Sequence, residues 1–409
     1  MNNRVVITGM GAVTPLGNNV KDFWEGIKAG KNGISWITHF DTTEQKTKMG
    51  AQVKDFIFYN KKEAKRTDLF SQYGVTAAME AMEDSGLISG ENILPERLGV
   101  IAGSGIGGIM TLENEIQKAC EKGISRVSPF LTTSIIGNIL AGNIAITCKA
   151  KGSCIGVVSA CATGSHAIGE AFALIKRGFT DAVIAGGSEA PFAPACFAGF
   201  ANMKALSTRV DPNRCSTPFD KERDGFVMGE GAGMVIVEDY NHAIARGAHI
   251  YAEIIGYGST CDAHHVTMPA PDGEGAARAM KFALEEGGIR PDEVSYINAH
   301  GTGTPYNDLF ETRAIKAVFG ESTDIPVSST KSMTAHMLGA AGSAEAIVCV
   351  KAILDSVIPP TINLEVPDIE LNLDYVPGVA RNKELMYTMS NSLGFGGHNA
   401  CLLFKKYMI

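Results

Sequence analysis

The feature that most limits what this 409-residue chain can fold into is that it resembles itself. The run Ala81-Met82-Glu83-Asp84-Ser85-Gly86-Leu87, then a loop and an apolar stretch ending in Gly103-Ser104-Gly105, returns later in the chain. There it reads Ala283-Leu284-Glu285-Glu286-Gly287-Gly288-Ile289, a loop, and an apolar stretch ending in His300-Gly301-Thr302-Gly303. A second echo, at constant offset, aligns Ala160, Gly164, Glu170, Ala171 and Lys176 with Ala335, Gly339, Glu345, Ala346 and Lys351. Small residues are common enough for either match to arise by chance. Two matches in the same order point to a duplicated unit. In that register Cys161 aligns with His336. If the two units pack about a pseudo-twofold axis, equivalent helix starts face each other and these two residues meet at the seam.

The repeated unit reads as α/β. The 46 glycines fall singly or in short clusters after apolar runs, as at strand-to-helix turns, and not in a low-complexity linker. Strands are expected at 4–8, 98–102, 156–159, 182–185, 233–238, 294–298, 325–328 and 400–404. Helices are expected at 62–84, 132–147, 163–177, 275–286, 308–319 and 339–354. The alternation defines an α/β class, and the length allows two units or one large fused core.

Composition removes several function classes. A formal charge of −8 leaves no basic excess to neutralise a phosphate backbone, which argues against a general nucleic-acid binder. Nine cysteines, an odd number without a C-x-x-C pair, fit free thiols in a reducing, cytoplasmic setting better than a disulfide framework or a zinc site. Residues 1–11 read as a strand running into a glycine turn and lack the basic and apolar regions of a secretory signal. No stretch approaches the roughly 20 apolar residues a membrane span needs.

Four segments carry chemistry. In Val157-Val158-Ser159-Ala160-Cys161-Ala162-Thr163-Gly164 an apolar stretch gives way to small residues that can open a helix. A thiol there meets unpaired backbone N–H groups and the positive end of the helix dipole, which favour thiolate; the alternative is a packed core cysteine. Asn298-Ala299-His300-Gly301-Thr302-Gly303-Thr304-Pro305 puts a histidine on a Gly/Thr loop after a strand, where a plain surface histidine is the alternative. Lys331-Ser332-Met333-Thr334-Ala335-His336 puts a second one at a small-residue helix start. Asn391-Ser392-Leu393-Gly394-Phe395-Gly396-Gly397-His398 is a glycine turn around one aromatic. The run Gly103-Ser104-Gly105-Ile106-Gly107-Gly108 formally fits G-x-G-x-x-G, but no acidic residue follows about 20 positions on, so a dinucleotide site is weakly supported. No P-loop or H-E-x-x-H occurs, and His264 and His265 lack companions at a ligand spacing, so no metal is expected. One thiol and two histidines on glycine-rich turns meet the needs of acyl transfer: a nucleophile, oxyanion donors and close backbone approach.

These segments, with Val5-Val6-Ile7-Thr8-Gly9-Met10-Gly11, Asn202-Met203-Lys204-Ala205-Leu206-Ser207 and Asp220-Lys221-Glu222-Arg223-Asp224-Gly225-Phe226, closely resemble the β-ketoacyl-[acyl-carrier-protein] synthases over essentially the whole chain. The resemblance implies a thiolase-like fold, with duplicated α/β halves layered αβαβα, and a homodimer. The first half, 1–250, carries Cys161; the second, 251–409, carries the two histidines. It implies that Cys161 takes an acyl group from acyl carrier protein. His300 and His336 then hold the malonyl thioester oxygen while CO₂ leaves, and Lys331 orients His336. The backbone N–H groups of Cys161 and Phe395 form the oxyanion hole, and Phe395 gates the acyl pocket. Thr302 and Thr304 match positions that bind the phosphopantetheine arm of the carrier; no other cofactor is implied. Ile106, Phe130 and Phe200 are candidates for the acyl pocket, with ordinary core roles as the alternative.

Carrier protein in this family is acidic, so Lys61, Lys62, Lys65 and Arg66, with Lys204 and Arg209, are expected to dock it despite the acidic total charge; a solvated helix face is the alternative for the first four. The chain departs from the family at His398, where Thr is commoner, at Ala335, where Gly is commoner, and at His264, where Tyr is usual. Asn298, Glu345 and Asn391 resemble positions where some members hold a monovalent cation, which is not counted among the expected sites. Competing readings are a polyketide ketosynthase or the type I elongation isozyme, and a non-catalytic chain-length partner. The cysteine and both histidines argue against the last.

Overall fold

In the computed structural model, which describes residues 3–408, ten strands join in one sheet. Residues 1, 2 and 409 of the expected halves lie outside the described residues. The strands are β1 (Val5–Val13), β2 (Leu98–Gly103), β3 (Cys154–Gly156), β4 (Ala182–Glu189) and β5 (Gly231–Asp239), then β6 (Ala252–Cys261), β7 (Tyr296–Asn298), β8 (Val327–Ser328), β9 (Tyr387–Gly394) and β10 (His398–Lys406). From the centre outward the first five run β1-β5-β4-β2-β3 and the last five β6-β10-β9-β7-β8. The orders are the same, and so is the sense of every pairing: two antiparallel pairs near the centre, then two parallel ones. The halves join where residues 5–7 pair antiparallel with 252–254. This is the duplication that the sequence echoes anticipate.

Six helices build the layers: α1 (Leu69–Ser85), α2 (Ile139–Cys148), α3 (Thr163–Lys176), α4 (Glu274–Gly287), α5 (Pro305–Phe319) and α6 (Ala341–Asp355). On one outer face α1 and α2 bury Tyr73, Ala77, Leu140 and Ile144 against Val100, Ile184 and Met234 of the first five strands. On the other, α4 and α5 bury Met280, Ala283 and Ile315 against Ile297, Cys401 and Leu403. Between them α3 and α6 share the largest core with strands of both halves, through Ile168, Phe172, Ile347 and Val348 packed with Val235, Ile254 and Leu402. The layering is αβαβα, a thiolase-like arrangement. The two central helices cross at their first turns. A Cβ on Gly342 would lie 2.2 Å from Ser165 Oγ, and one on Gly164 would lie 2.7 Å from the Ser343 nitrogen. Glycine at both points lets the helix starts touch, which brings the residues just before each helix together.

Some boundaries differ from expectation. The helix expected from 62 begins at Leu69 because the Asp68 side chain accepts the Phe70 N–H and caps it; residues 63–65 form a single 3₁₀ turn. The helix expected at 132–147 is broken by extended backbone at Ile136 into Leu131–Ile135 and α2. The strand expected at 156–159 is Cys154–Gly156. No helix among the described residues is long and apolar enough to cross a membrane.

Candidate active site

Cys161 sits in the turn Ala160–Ala162 immediately before α3. Thr163 Oγ1 builds this turn by accepting the Ser159 N–H (2.9 Å) and donating to the Ala160 carbonyl (2.8 Å). The sulfur opens onto a cavity of about 520 Å³ that His300 and His336 also line. Three segments far apart in the sequence therefore supply one site.

Each histidine is held by its backbone. Glu311 of α5 accepts the N–H groups of His300 (2.7 Å) and Gly301 (2.8 Å). The His336 N–H donates to the Val227 carbonyl (2.8 Å), and its own carbonyl accepts the Gly229 N–H (2.9 Å), pinning it to the short strand Met228–Gly229. The two rings stand perpendicular with centroids 5.3 Å apart, and Phe226 packs edge-on against His336 at 5.2 Å. In both rings Nδ1 is buried without a partner, which leaves Nε2 as the nitrogen able to face a ligand. A buried orphan lone pair is easier to tolerate than an orphan N–H, so the tautomer with hydrogen on Nε2 is favoured.

Burial, reinforced by the Lys331 charge, holds both imidazoles well below the usual histidine range, so both are neutral near pH 7. Lys331 is itself buried and pairs with the buried carboxylate of Glu345, whose pKa burial raises to about 7. The thiol departs from the sequence expectation. Burial pushes Cys161 up to about 12, outweighing Lys331 and the backbone N–H groups of Phe395 and Cys161, which pull it down. It rests as a thiol because the cavity removes water faster than the helix start supplies charge.

The structure brings Cys161, His300, His336, Phe395, Thr302, Thr304, Ile106, Phe200 and Lys204 to this one cavity. The hydroxyls of Thr302 and Thr304 lie 3.0 Å apart, and the Phe395 ring stands 6.4 Å from Phe200. Lys331 stands behind the histidines and not on the wall. Phe130 is not brought to the cavity: it is 38% exposed, with the Arg66 guanidinium 5.1 Å over its ring. Lys61, Lys62 and Lys65 are exposed away from the cavity, while Arg66 pairs with Glu63. Arg209 is taken up by Glu222 and Asp224, which leaves it a weak docking charge. The side-chain amide of Asn298, Asn391 Oδ1 and Glu345 Oε2 are buried without partners. Sequence reasoning missed Asp224, Tyr306 and Asn307 at the mouth and Glu311 behind His300. Only Asp224 lay in a motif that signalled it.

Residues 2–243 match the beta-ketoacyl synthase N-terminal domain and residues 251–365 its C-terminal domain. The chain belongs to the beta-ketoacyl synthase family. It is 51% identical to 3-oxoacyl-[acyl-carrier-protein] synthase 2 of Synechocystis, over 99% of this chain and 98% of that one. It is 50% identical to the protein of the same name from Staphylococcus aureus strain COL, over 99% of both. Among solved structures, a beta-ketoacyl synthase from Burkholderia phymatum superposes with a TM-score of 0.93 at 36% identity, covering 99% of this chain and 100% of that one. A type II polyketide ketosynthase, AntDE, solved with its acyl-carrier protein AntF and bound to the hexaketide, gives 0.92 at 34%, covering all of both chains.

Proposed function

We propose that the protein elongates acyl chains carried on acyl carrier protein by decarboxylative condensation with malonyl-carrier, as in fatty acid synthesis. The observation that carries this reading is the meeting of Cys161, His300 and His336 on one cavity. Cys161 attacks the acyl thioester, its proton passes to the departing pantetheine sulfur, and an S-acyl enzyme remains. The oxyanion of that step takes hydrogen bonds from the N–H groups of Cys161 and Phe395. Malonyl-carrier then enters past Thr302 and Thr304. Its thioester oxygen accepts from Nε2 of His300 and His336, the bond to the carboxylate breaks, CO₂ leaves, and the resulting enolate carbon attacks the acyl carbonyl. The thiolate of Cys161 is expelled and takes a proton from water to return to the resting thiol, and the product is a 3-oxoacyl thioester two carbons longer.

Neutral imidazoles suit this task because charge appears on the oxygen only as CO₂ departs, so the bond strengthens toward the transition state. Burial, reinforced by the Lys331 charge, keeps both rings neutral. Higher identity to the two 3-oxoacyl-[acyl-carrier-protein] synthases, 51% and 50%, than to the polyketide ketosynthase AntDE, 34%, supports fatty acid substrates. The carrier complex of AntDE supports acyl carrier protein as the partner, reaching the mouth near Lys204. The equal strand orders support a division into 1–250 and 251–409. The exposed edge strand Cys154–Gly156, followed by the exposed Val158, supports a homodimer. All nine cysteines are free, which supports a cytoplasmic setting.

Intact-mass measurement after mixing with acyl-carrier tests the reading. Wild type gains one acyl group, and Cys161→Ala gains none and makes no 3-oxoacyl product while keeping its fold. Turnover surviving in that variant refutes the nucleophile.

A further inference from the structure

The glycine run at 103–108 has no role in the steps above, and its backbone wraps a carboxylate of the protein itself. Glu189, the fully buried last residue of β4, accepts the N–H groups of Gly105 (2.8 Å), Ile106 (3.1 Å) and Gly339 (2.9 Å) and the hydroxyl of Ser104. Ser104 Oγ in turn accepts the Gly107 N–H at 2.8 Å, so its one proton is committed to Glu189. All four partners are donors, the pattern of an ionised carboxylate in a nest of backbone dipoles. Burial pushes the group toward its neutral form, and the four donors oppose that. A Cβ on Gly105 or on Gly339 would lie 2.8 Å from Glu189 Oε2, so glycine is what lets both loops close on the anion.

Both loops reach the cavity, through Ile106 and Leu338. Ile106 lines it beside Cys161, while Gly339 belongs to the turn Leu338–Ala340 that follows His336. We propose that Glu189 is a positioning residue whose carboxylate ties the Ile106 loop to the turn after His336 and thereby sets how long an acyl chain Cys161 accepts. The inference rests on the reading of Cys161 as the acylated nucleophile. A chain long enough to pass Ile106 meets a wall that is already ordered. Without the anion that wall is ordered only on binding, a cost that chains too short to reach it do not meet. The same buried charge opposes ionisation of the Cys161 thiol.

The test is acylation of Cys161, read by intact mass, with acyl-carrier thioesters of graded length, alongside the pH dependence of Cys161 alkylation by iodoacetamide. Glu189→Gln keeps the shape, loses the charge and turns an NH₂ group toward backbone donors. Its ratio of long-chain to short-chain acylation is expected to fall about tenfold, the scale of one lost buried hydrogen bond to a charged group, and its alkylation profile to move to lower pH. Glu189→Asp, which keeps the charge at a changed reach, is expected to alter the ratio without that pH shift. An unaltered ratio in folded Glu189→Gln overturns the proposal. A lowered ratio with an unmoved alkylation profile marks a purely structural role and overturns it too. Should Glu189→Gln fail to fold, Ser104→Ala decides: a lowered ratio supports the clamp and an unchanged one removes it. Wild type that takes no acyl group on Cys161 overturns the nucleophile reading and this inference together. Normal wild-type acylation with an unchanged variant overturns the inference alone.

Discussion

Ala160 and Ala335, aligned by the internal repeat, both hold a positive φ, 50° and 55°, one residue before Cys161 and His336. The duplicated kink turns the two following side chains toward the shared cavity. At Ala335 ψ is −167°, a combination that essentially only glycine adopts without strain. Ala335→Gly is therefore expected to stabilise the protein by about 1 kcal/mol after the extra chain entropy of glycine is subtracted. A higher midpoint of thermal unfolding checks it; a lower one shows that the kink stores no strain.

His166, one turn into α3, has Nδ1 2.7 Å from Ser159 Oγ and Nε2 3.1 Å from Ser259 Oγ, with the His398 ring at 6.3 Å and Tyr257 at 6.2 Å. Burial and the charge of His398 push its pKa down to about 4. Because the folded value lies below the unfolded one, near 6.5, its contribution is fully present above about 6.5. It is lost progressively as pH falls toward 4, where the unfolded chain binds the proton and the folded one does not. His166→Gln removes this dependence and leaves the buried carboxylates as they were. Denaturant titrations should show wild type losing stability relative to the variant by up to about 1.4 kcal/mol per pH unit in that window. Parallel curves would rule the mechanism out.

The echo that pairs Cys161 with His336 is legible because both positions demand small neighbours, and a demand for close backbone approach leaves a mark in the sequence. Strands β6 and β9 leave none: Gly256, Gly258, Ser390 and Ser392 interrupt their apolar pattern because helices press against the backbone there, as at Gly256, where a Cβ would lie 2.0 Å from the Ala283 carbonyl. The motif singles out Lys331, but nothing local marks Glu345, fourteen residues on, as the carboxylate that buries with it. Glu189 gives no local signal, since its four donors come from two other places in the chain, residues 104–106 and Gly339. The thiol's raised pKa is equally hidden, because burial is a property of the assembled cavity and the helix start is a property of the local run.

The edge strand Cys154–Gly156 is exposed at every residue, and Ile155 (47% exposed) and Val158 (60%) present apolar surface beside unpaired backbone groups. Such an edge is a template for a second copy. Ile155→Asp is expected to shift the protein from dimer to monomer at micromolar concentration, as read by light scattering. A wild type that is monomeric under those conditions would remove this edge as an interface.

Lys204 is exposed at the cavity mouth, and Lys65 is exposed on the segment before α1. If both steer an acidic carrier, reversing each charge should raise KM for acyl-carrier about threefold per site and flatten its dependence on salt, the pattern of rim charges. Effects at Lys204 alone would confine docking to the mouth and discard the patch at 61–66.

On the proposed function, His300 and His336 divide the labour with Cys161: the two imidazoles that line the cavity serve the malonyl oxygen as it gains charge, while acylation draws on the backbone N–H groups of Cys161 and Phe395. His300→Ala and His336→Ala are each expected to slow CO₂ release from malonyl-carrier by about 10²- to 10³-fold, the usual cost of one oxyanion donor. Acyl transfer to Cys161 should suffer much less. Substitution to Gln, whose amide NH₂ also donates, should recover part of the loss at either position, whereas a merely structural histidine would gain nothing from that donor. Since both rings are neutral near pH 7, neither should contribute a titration to the decarboxylation rate as pH falls from about 7.5 to about 6; a decline that His300→Gln or His336→Gln abolishes would show that this ring titrates at an ordinary value, whereas one that persists in both variants belongs to the buried carboxylate of Glu345.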